Sequence, residues 1–157
     1  MKRLVFYILI TALVLWLPVQ GSDVGKLRPV QLVAIWREEK QVVIATDTGD
    51  RGEGAGAEAA LLHLHETTPA TVYLDTAEFL LISEAALSDA RYLAGFLKED
   101  VQVYQNEGVK DLKAAAEYLS VHSKGTELRA WKQGASLPVI REEEGRFILL
   151  KNNKINT

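Results

Sequence analysis

One aspartate follows an apolar stretch in a setting that aspartic proteases use. Asp47, Thr48 and Gly49 come directly after the apolar run 42–45. Aspartic proteases hold such an aspartate against a second one, so that two carboxylates share a proton. The sequence contains one copy of the triplet, so only a symmetric dimer would supply the second. Because these residue types are also common turn formers, a turn is the preferred interpretation, and a dimeric aspartyl peptidase around Asp47 is the alternative.

A glycine-rich stretch lies between an apolar run and a helical pattern, which is where phosphate-binding loops lie. Gly52, Gly54 and Gly56 are spaced two apart, and this spacing departs from the G-x-G-x-x-G pattern. Glu53 and Glu58 would repel a phosphate at the start of the helix. The stretch 47–56 is therefore predicted to be a mobile surface loop, and no cofactor site is predicted.

The histidines do not form a metal-binding pattern. His63 and His65 are two residues apart on a predicted helix, and such side chains point about 200° away from each other. Zinc-binding helices use a spacing of four, which is absent here. His122 is isolated near a predicted helix end, where an imidazolium interacts well with the helix dipole. No metal ligands are predicted.

Other candidate groups also have simple structural interpretations. The acidic runs 38–39 and 142–144 are predicted to be solvated hairpin connections, and no serine lies in a nucleophile elbow. No catalytic residue is therefore predicted. Trp36, Tyr104 and Trp131 are candidate interface anchors, with core packing as the alternative for each.

The first residues have the composition of an export signal. A basic start, Met1-Lys2-Arg3, precedes the uncharged run 4–17, and Pro18 ends that run. The run is shorter than the roughly 20 residues that a spanning helix needs, and Val19 and Gly21 suit a signal-peptidase site. Cleavage after Gly21 is predicted, with an uncleaved membrane anchor as the alternative. Either way the protein is exported, and it contacts the membrane only through this segment.

Composition excludes several classes of function. There is no cysteine, so a disulfide framework and thiolate chemistry are both excluded. The formal charge of the chain is −3, and without Lys2 and Arg3 the 16 basic and 21 acidic residues give about −5. A chain that is acidic and has no basic cluster is not expected to bind nucleic acid or an anionic lipid surface.

The predicted core is built on the stretch 71–97. The runs 71–75 and 78–83 are rich in β-branched, aromatic and apolar residues, and a pattern of helical spacing follows them to Leu97. They are predicted to be two neighbouring strands covered by the next helix. The all-apolar runs 32–36 and 42–45 predict a hairpin buried on both faces, in the middle of the sheet.

The remaining elements complete an α+β fold, a mixed β-sheet with amphipathic helices packed on it. Helices are predicted from Ala57 to the segment before Pro69, from Ser88, from Val109 to Leu119, and near Leu128. The run 101–104 predicts a strand with one wet face. A closing hairpin is predicted from the runs 137–140 and 146–150. The domain boundaries follow: a signal or anchor helix in 1–21, a tether in 22–28, one domain in 29–150 and a polar tail in 151–157.

The order of these elements resembles the amino-terminal domain of the Ger(x)C family, the C subunits of spore germinant receptors. The resemblance covers about residues 28–150. The matching stretches are the first strand in 32–35, the helix 57–68 before Pro69, the aromatic strand 69–74, the apolar strand leading into an acidic helix start in 79–87, the helix end in 96–100, and the strand 137–140.

The resemblance implies a role rather than a chemistry. It implies a non-catalytic, exported interaction module in the envelope of a spore-forming bacterium, with membrane subunits of a germinant receptor as protein partners. Ser22 stands where the family has its lipid-attachment cysteine, so a lipid anchor does not carry over. The other family domains are not in these 157 residues, so the chain is expected to be a stand-alone relative. A soluble extracytoplasmic ligand-binding domain is a further alternative.

Overall fold

The computed structural model describes residues 27–69, 71–122 and 124–150. The predicted signal segment 1–21, residues 22–26 of the tether and the tail 151–157 lie outside the described residues. The described elements, in chain order, are β1 (Leu27–Pro29), β2 (Leu32–Glu38), β3 (Gln41–Thr46), β4 (Arg51–Gly54), α1 (Ala57–Thr67), β5 (Thr71–Tyr73), β6 (Phe79–Ile82), α2 (Leu87–Leu93), β7 (Gln102–Glu107), α3 (Leu112–His122), β8 (Thr126–Glu127), α4 (Leu128–Lys132), β9 (Val139–Glu143) and β10 (Arg146–Leu150).

An eight-stranded mixed sheet forms the centre of the fold. Its strand order is β10-β9-β7-β6-β2-β3-β4, and β8 pairs with β7 outside this path. The pairs β2–β6, β6–β7 and β7–β9 are parallel, whereas β2–β3, β3–β4 and β9–β10 are antiparallel. The predicted α+β class, a mixed sheet with helices packed on it, is therefore confirmed.

The hairpin of β2 and β3 lies inside this sheet, as predicted. Val33 pairs with Thr46 at one end of the hairpin, and Glu38 pairs with Gln41 at the other. Residues 32–35 and 42–44 are completely buried, because both faces of the sheet are covered. An exposed face would have required alternating polar residues, which these runs lack.

Helices cover the two faces of the sheet in unequal number. On one face, α1, α2 and α4 pack on a core that includes Ile35, Ile44 and Leu80. On the other face, α3 packs on a core that includes Leu32, Leu81 and Tyr104. Ala57, Ala60, Leu61 and Leu64, the apolar residues whose helical spacing predicts α1, are its buried residues. No helix of the described residues is long and apolar enough to cross a membrane.

The prediction that the runs 71–75 and 78–83 pair with each other is wrong. β5 pairs in parallel with β1, whereas β6 lies between β2 and β7 in the main sheet. A 3₁₀ turn, Leu74–Thr76, separates β5 from β6, and Thr76 Oγ1 accepts a hydrogen bond from Val30 N at 3.0 Å. β1 includes Leu27 and Arg28, the last two residues of the predicted tether.

The prediction of a mobile loop over 47–56 is also wrong. Residues 51–54 form β4, an edge strand that pairs with β3. A Cβ atom added to Gly52 would overlap the backbone of α1, and one added to Gly54 would lie 2.5 Å from Ala60 N. Glycine is therefore needed here because the helix lies directly against the strand.

Three further expectations need correction. β7 has no wet face in its centre, since Val103 and Tyr104 point into opposite cores and both are completely buried. Ser88 lies inside α2, whose N-cap position is occupied by Ala86. The closing hairpin turns at Glu144 and Gly145, so the rest of the predicted acidic connection belongs to β9.

Candidate functional site

Asp47 lies in a turn and holds backbone groups. Its Oδ1 accepts hydrogen bonds from the backbone N–H groups of Gln31 and Leu32, both at 3.1 Å. Its own N–H donates to Leu32 O at 3.0 Å. These bonds fix the end of β3 against the start of β2. Asp47 is thus part of a hydrogen-bonded turn between the two strands.

The hydroxyl groups beside Asp47 also serve the turn. Thr48 Oγ1 donates to Asp50 Oδ2 at 2.7 Å and lies 2.7 Å from Thr46 Oγ1. Because Thr48 uses its only hydrogen on Asp50, Thr46 donates to Thr48. The predicted triplet thus lies in a short hydrogen-bonded chain.

The histidines are separated and used locally. His63 Nδ1 accepts a hydrogen bond from Glu53 N at 3.0 Å, which ties α1 to the edge strand β4. His65 is exposed on the same helix. His122 stacks on Tyr118, with ring centroids 4.5 Å apart. In the described ranges, no three His, Asp or Glu side chains lie together in a way that could hold a metal ion.

The acidic runs are mostly exposed, and some of their carboxylates also make specific contacts. Glu38 Oε1 accepts a hydrogen bond from Trp36 Nε1 at 2.9 Å, and its Oε2 lies 2.8 Å from Arg51. The bond from Trp36, helped by Arg51, lowers the pKa of Glu38 below its ordinary value. Glu142 Oε2 accepts a hydrogen bond from Lys110 N at 2.8 Å, just before α3.

The three candidate aromatic anchors have different environments. Tyr104 is completely buried, and burial raises the pKa of its phenol, while backbone groups of Lys124 and Gly125 oppose the rise. Trp131 is partly buried against the core under α1 and α2. Trp36 is partly exposed at the margin of the core under α3. Trp36 also lines a groove.

The groove lined by Trp36 is a concave surface of the described domain. Its volume is about 850 Å³. One side is formed by the ends of β2 and β3 with Arg51 of β4, and the other side by residues 106–113, which lead into α3. Trp36, Val109 and Leu112 supply apolar surface. We call this feature the Trp36 groove.

The Trp36 side chain is held in place by its neighbours. The Arg51 guanidinium lies over the indole ring, 5.6 Å from its centroid, and Glu38 accepts the indole N–H. Arg51 also pairs with Glu53 at 2.8 Å. An aromatic surface fixed in this way needs little reordering when it contacts a ligand.

Charged side chains in the groove fall into two groups. Glu38 is bound to Trp36 and Arg51, Asp47 holds two backbone amides, and Asp111 Oδ1 accepts the N–H of Ala114. Lys110 and Lys113 also line the groove and are exposed. Their ammonium groups have no hydrogen bond or ion pair with any described residue.

Ser83 lines the groove without the partners of a nucleophile. Its Oγ is buried and has no hydrogen-bond partner in the described part of the chain. A serine nucleophile needs a base within hydrogen-bond reach. The arrangement around Ser83 therefore suits packing at the end of β6 better than catalysis.

The sequence did not reveal the groove, because its two sides are far apart in the chain. Residues 36–51 and 106–113 meet only through the order of strands in the sheet. The signals available were Trp36 at the end of an apolar strand and two lysines, Lys110 and Lys113, at the start of a helix.

Comparisons with known proteins add no further assignment. No family model, curated protein or solved structure matches the chain. The resemblance to the amino-terminal domain of the Ger(x)C family therefore stays a prediction based on the residues quoted above.

Proposed function

We propose that this chain is a non-catalytic interaction module that binds a protein partner outside the cytoplasm. The observation that carries the proposal is the Trp36 groove, an open surface in which the Trp36 side chain is held by Glu38 and Arg51. Aromatic residues in such positions are enriched among the anchors of protein interfaces. The hydrogen bonds of Asp47 favour binding over hydrolysis, since its carboxylate holds two backbone amides.

The place of action in this proposal comes from the sequence. The basic start and the uncharged run 4–17 support export, with the domain secreted or tethered to the membrane by that run. The resemblance to Ger(x)C proteins supports the envelope of a spore-forming bacterium, with germinant-receptor subunits as partners. The membrane itself is contacted only through the first residues.

Site-specific crosslinking in the native host tests the proposal. A photoreactive amino acid at Lys113, in the groove, is expected to give a covalent adduct with an envelope protein in sporulating cells. The same amino acid at Glu66, exposed on α1 at the other face, is the matched control and is expected to give none. Trp36→Ala is expected to remove the adduct at Lys113. Expression in vegetative cells alone, with no adduct at Lys113, would refute the role in the spore envelope.

A second candidate is a soluble extracytoplasmic ligand-binding domain. The volume of the groove favours it, since small-molecule pockets measure about 300–1,000 Å³. This candidate predicts that a small molecule raises the melting temperature of the full chain, because a ligand that binds only the folded state stabilises it. The rise should be lost in Trp36→Ala. A screen in which no compound raises the melting temperature would count against it.

A further inference from the structure

We infer that the Trp36 groove takes an acidic segment of the partner protein, in which carboxylates flank an aromatic or aliphatic side chain. The inference rests on the proposed function and names the chemistry of the partner. It follows from three features of the groove: its apolar surface, the uncommitted charges on its rim, and the way its other charged groups are already satisfied.

The apolar surface selects for a side chain rather than a bare ion. Trp36, Val109 and Leu112 line the groove together, and Trp36 is fixed by Glu38 and Arg51. An aromatic or aliphatic side chain gains most from such a surface, because it buries area against a ring that has already lost its freedom. A simple inorganic anion would leave this surface in water.

The charges on the rim select for acidic groups. Every carboxylate in the lining is engaged within the protein, by Trp36 and Arg51 at Glu38 and by backbone amides at Asp47 and Asp111. Lys110 and Lys113 are the basic lining residues without such engagement among the described residues. The backbone amides leave the charges of Asp47 and Asp111 in place, so the four basic and three acidic side chains of the lining give it a formal charge of +1, on a chain whose formal charge is −3. Complementary charge across an interface favours an acidic partner.

The arginines in the lining are not available for the partner. Arg37 lies 2.7 Å from Asp89, and Arg51 lies 2.8 Å from both Glu38 and Glu53. The start of α3 is occupied as well, since Glu142 accepts the N–H of Lys110. Recognition therefore depends on flexible lysine ammonium groups, which attract carboxylates in general and do not impose bidentate geometry.

Peptide binding to the purified full chain tests this inference. The probes are short synthetic peptides that carry one phenylalanine flanked by glutamates, by glutamines or by lysines. Fluorescence anisotropy gives the dissociation constants at low and at high salt. The glutamate peptide is expected to bind best, and salt is expected to weaken it, because exposed charge pairs are screened.

Two sets of variants identify the groove as the binding surface. The double variant Lys110→Gln/Lys113→Gln is expected to weaken the glutamate peptide about tenfold and to leave the glutamine peptide unchanged. The control Lys98→Gln/Lys124→Gln removes the same charge from exposed residues outside the groove lining and is expected to change neither. Trp36→Ala is expected to weaken both peptides about thirtyfold, and Trp36→Phe to restore most of this loss.

The outcomes separate this inference from the proposed function. Equal binding of the three peptides, with loss in Trp36→Ala, would overturn the acidic partner and keep the groove as a protein-binding surface. Equal weakening by both lysine pairs would also overturn it, since the effect would then be one of net charge. Self-association of the full chain that Lys110→Gln/Lys113→Gln abolishes would replace the partner by a second copy. No peptide binding, together with no adduct at Lys113 in cells, would refute the proposed function itself.

Discussion

Replacing Gly52 by alanine tests whether β4 packs directly against α1. The added Cβ would lie 2.5 Å from Leu64 N and 2.7 Å from Leu64 Cβ, and it would overlap Ala60 O. Two of these three atoms belong to the helix backbone, which cannot move aside as the end of a flexible side chain can. The strand and helix must therefore separate, or β4 must leave β3.

The size of the effect follows from two opposed contributions. Overpacking in a well-packed region costs about 1–3 kcal/mol, and a contact with backbone belongs at the upper end of that range. Alanine also restricts the unfolded chain, and this raises the free energy of unfolding by about 0.4–1 kcal/mol. The net expectation for Gly52→Ala is a loss of about 2 kcal/mol in the free energy of unfolding. For a domain of this size, that loss lowers the melting temperature by about 6–8 °C.

Urea unfolding of the full chain, followed by circular dichroism, measures this loss. Gly56→Ala is the matched control, because a Cβ on Gly56 has no atom within 4 Å and its φ of −158° is extended. Gly56 is the N-cap of α1, where alanine costs less than about 1 kcal/mol relative to glycine. Equal stability of Gly52→Ala and Gly56→Ala would refute the close packing of β4 on α1.

Three other changes have defined outcomes. Asp47→Ala leaves two backbone amides without an acceptor and should lower the free energy of unfolding by about 2 kcal/mol, whereas Asp47→Asn should cost less than half as much in the same urea assay. The pKa of Glu38 in the folded protein lies below the ordinary glutamate pKa. At any pH above the ordinary value, Glu38 is therefore charged and keeps its hydrogen bond from Trp36. This bond is lost as the pH falls through the lowered pKa of Glu38. Tryptophan fluorescence should therefore change at acid pH below that ordinary value, and Glu38→Gln should remove the transition. Glu144→Asn should raise the melting temperature, with a gain of about 0.5–1 kcal/mol, because Glu144 has a φ of +50° in the hairpin turn and asparagine tolerates it better; an unchanged or lower melting temperature would contradict this.

Local patterns predicted several elements and their buried faces. Apolar residues at helical spacing predict both α1 and α3. Those of α1 are all buried, whereas α3 begins at Leu112, after Val109, and buries Ala115, Ala116 and Leu119. The hairpin of β2 and β3 follows from two apolar runs with a charged connection. In each case the pattern within one short segment indicates which element forms and which of its residues are buried.

Strand partners depend on distant segments, and here sequence reasoning failed. The runs 71–75 and 78–83 have similar composition and are close together, which suggested that they pair with each other. Their partners are β1 for the first and β2 with β7 for the second. Neither run has a feature that indicates pairing with β1, which begins at Leu27, or with β7, which begins at Gln102. The turn Leu74–Thr76 separates the two strands, and Thr76 forms a hydrogen bond with Val30, 46 residues away.

The prediction of a mobile loop over 47–56 was wrong because glycine occurs in two opposite situations, in mobile segments and at close contacts between elements. Between residues 47 and 56, four glycines suggested mobility, because glycine has the largest backbone entropy to lose. Two of them, Gly52 and Gly54, are instead required by close contact with α1. The spacing of the glycines distinguishes these two situations, because glycines two residues apart lie on the same face of a strand. A helix with small residues such as Ala57 and Ala60 on its inner face can then approach that face closely.

The same reasoning explains why Asp47 attracted attention and the Trp36 groove did not. A catalytic triplet is a short motif, so a chance occurrence in a turn looks the same in sequence as a functional one. The carboxylate becomes informative only once Gln31 and Leu32 are known to donate to it. A binding groove has the opposite property, because its parts carry no motif and are brought together only by the sheet. The ammonium groups of Lys110 and Lys113, which have no partner among the described residues and lie beside a fixed Trp36, are therefore a sharper guide to function in this chain than any of its motifs.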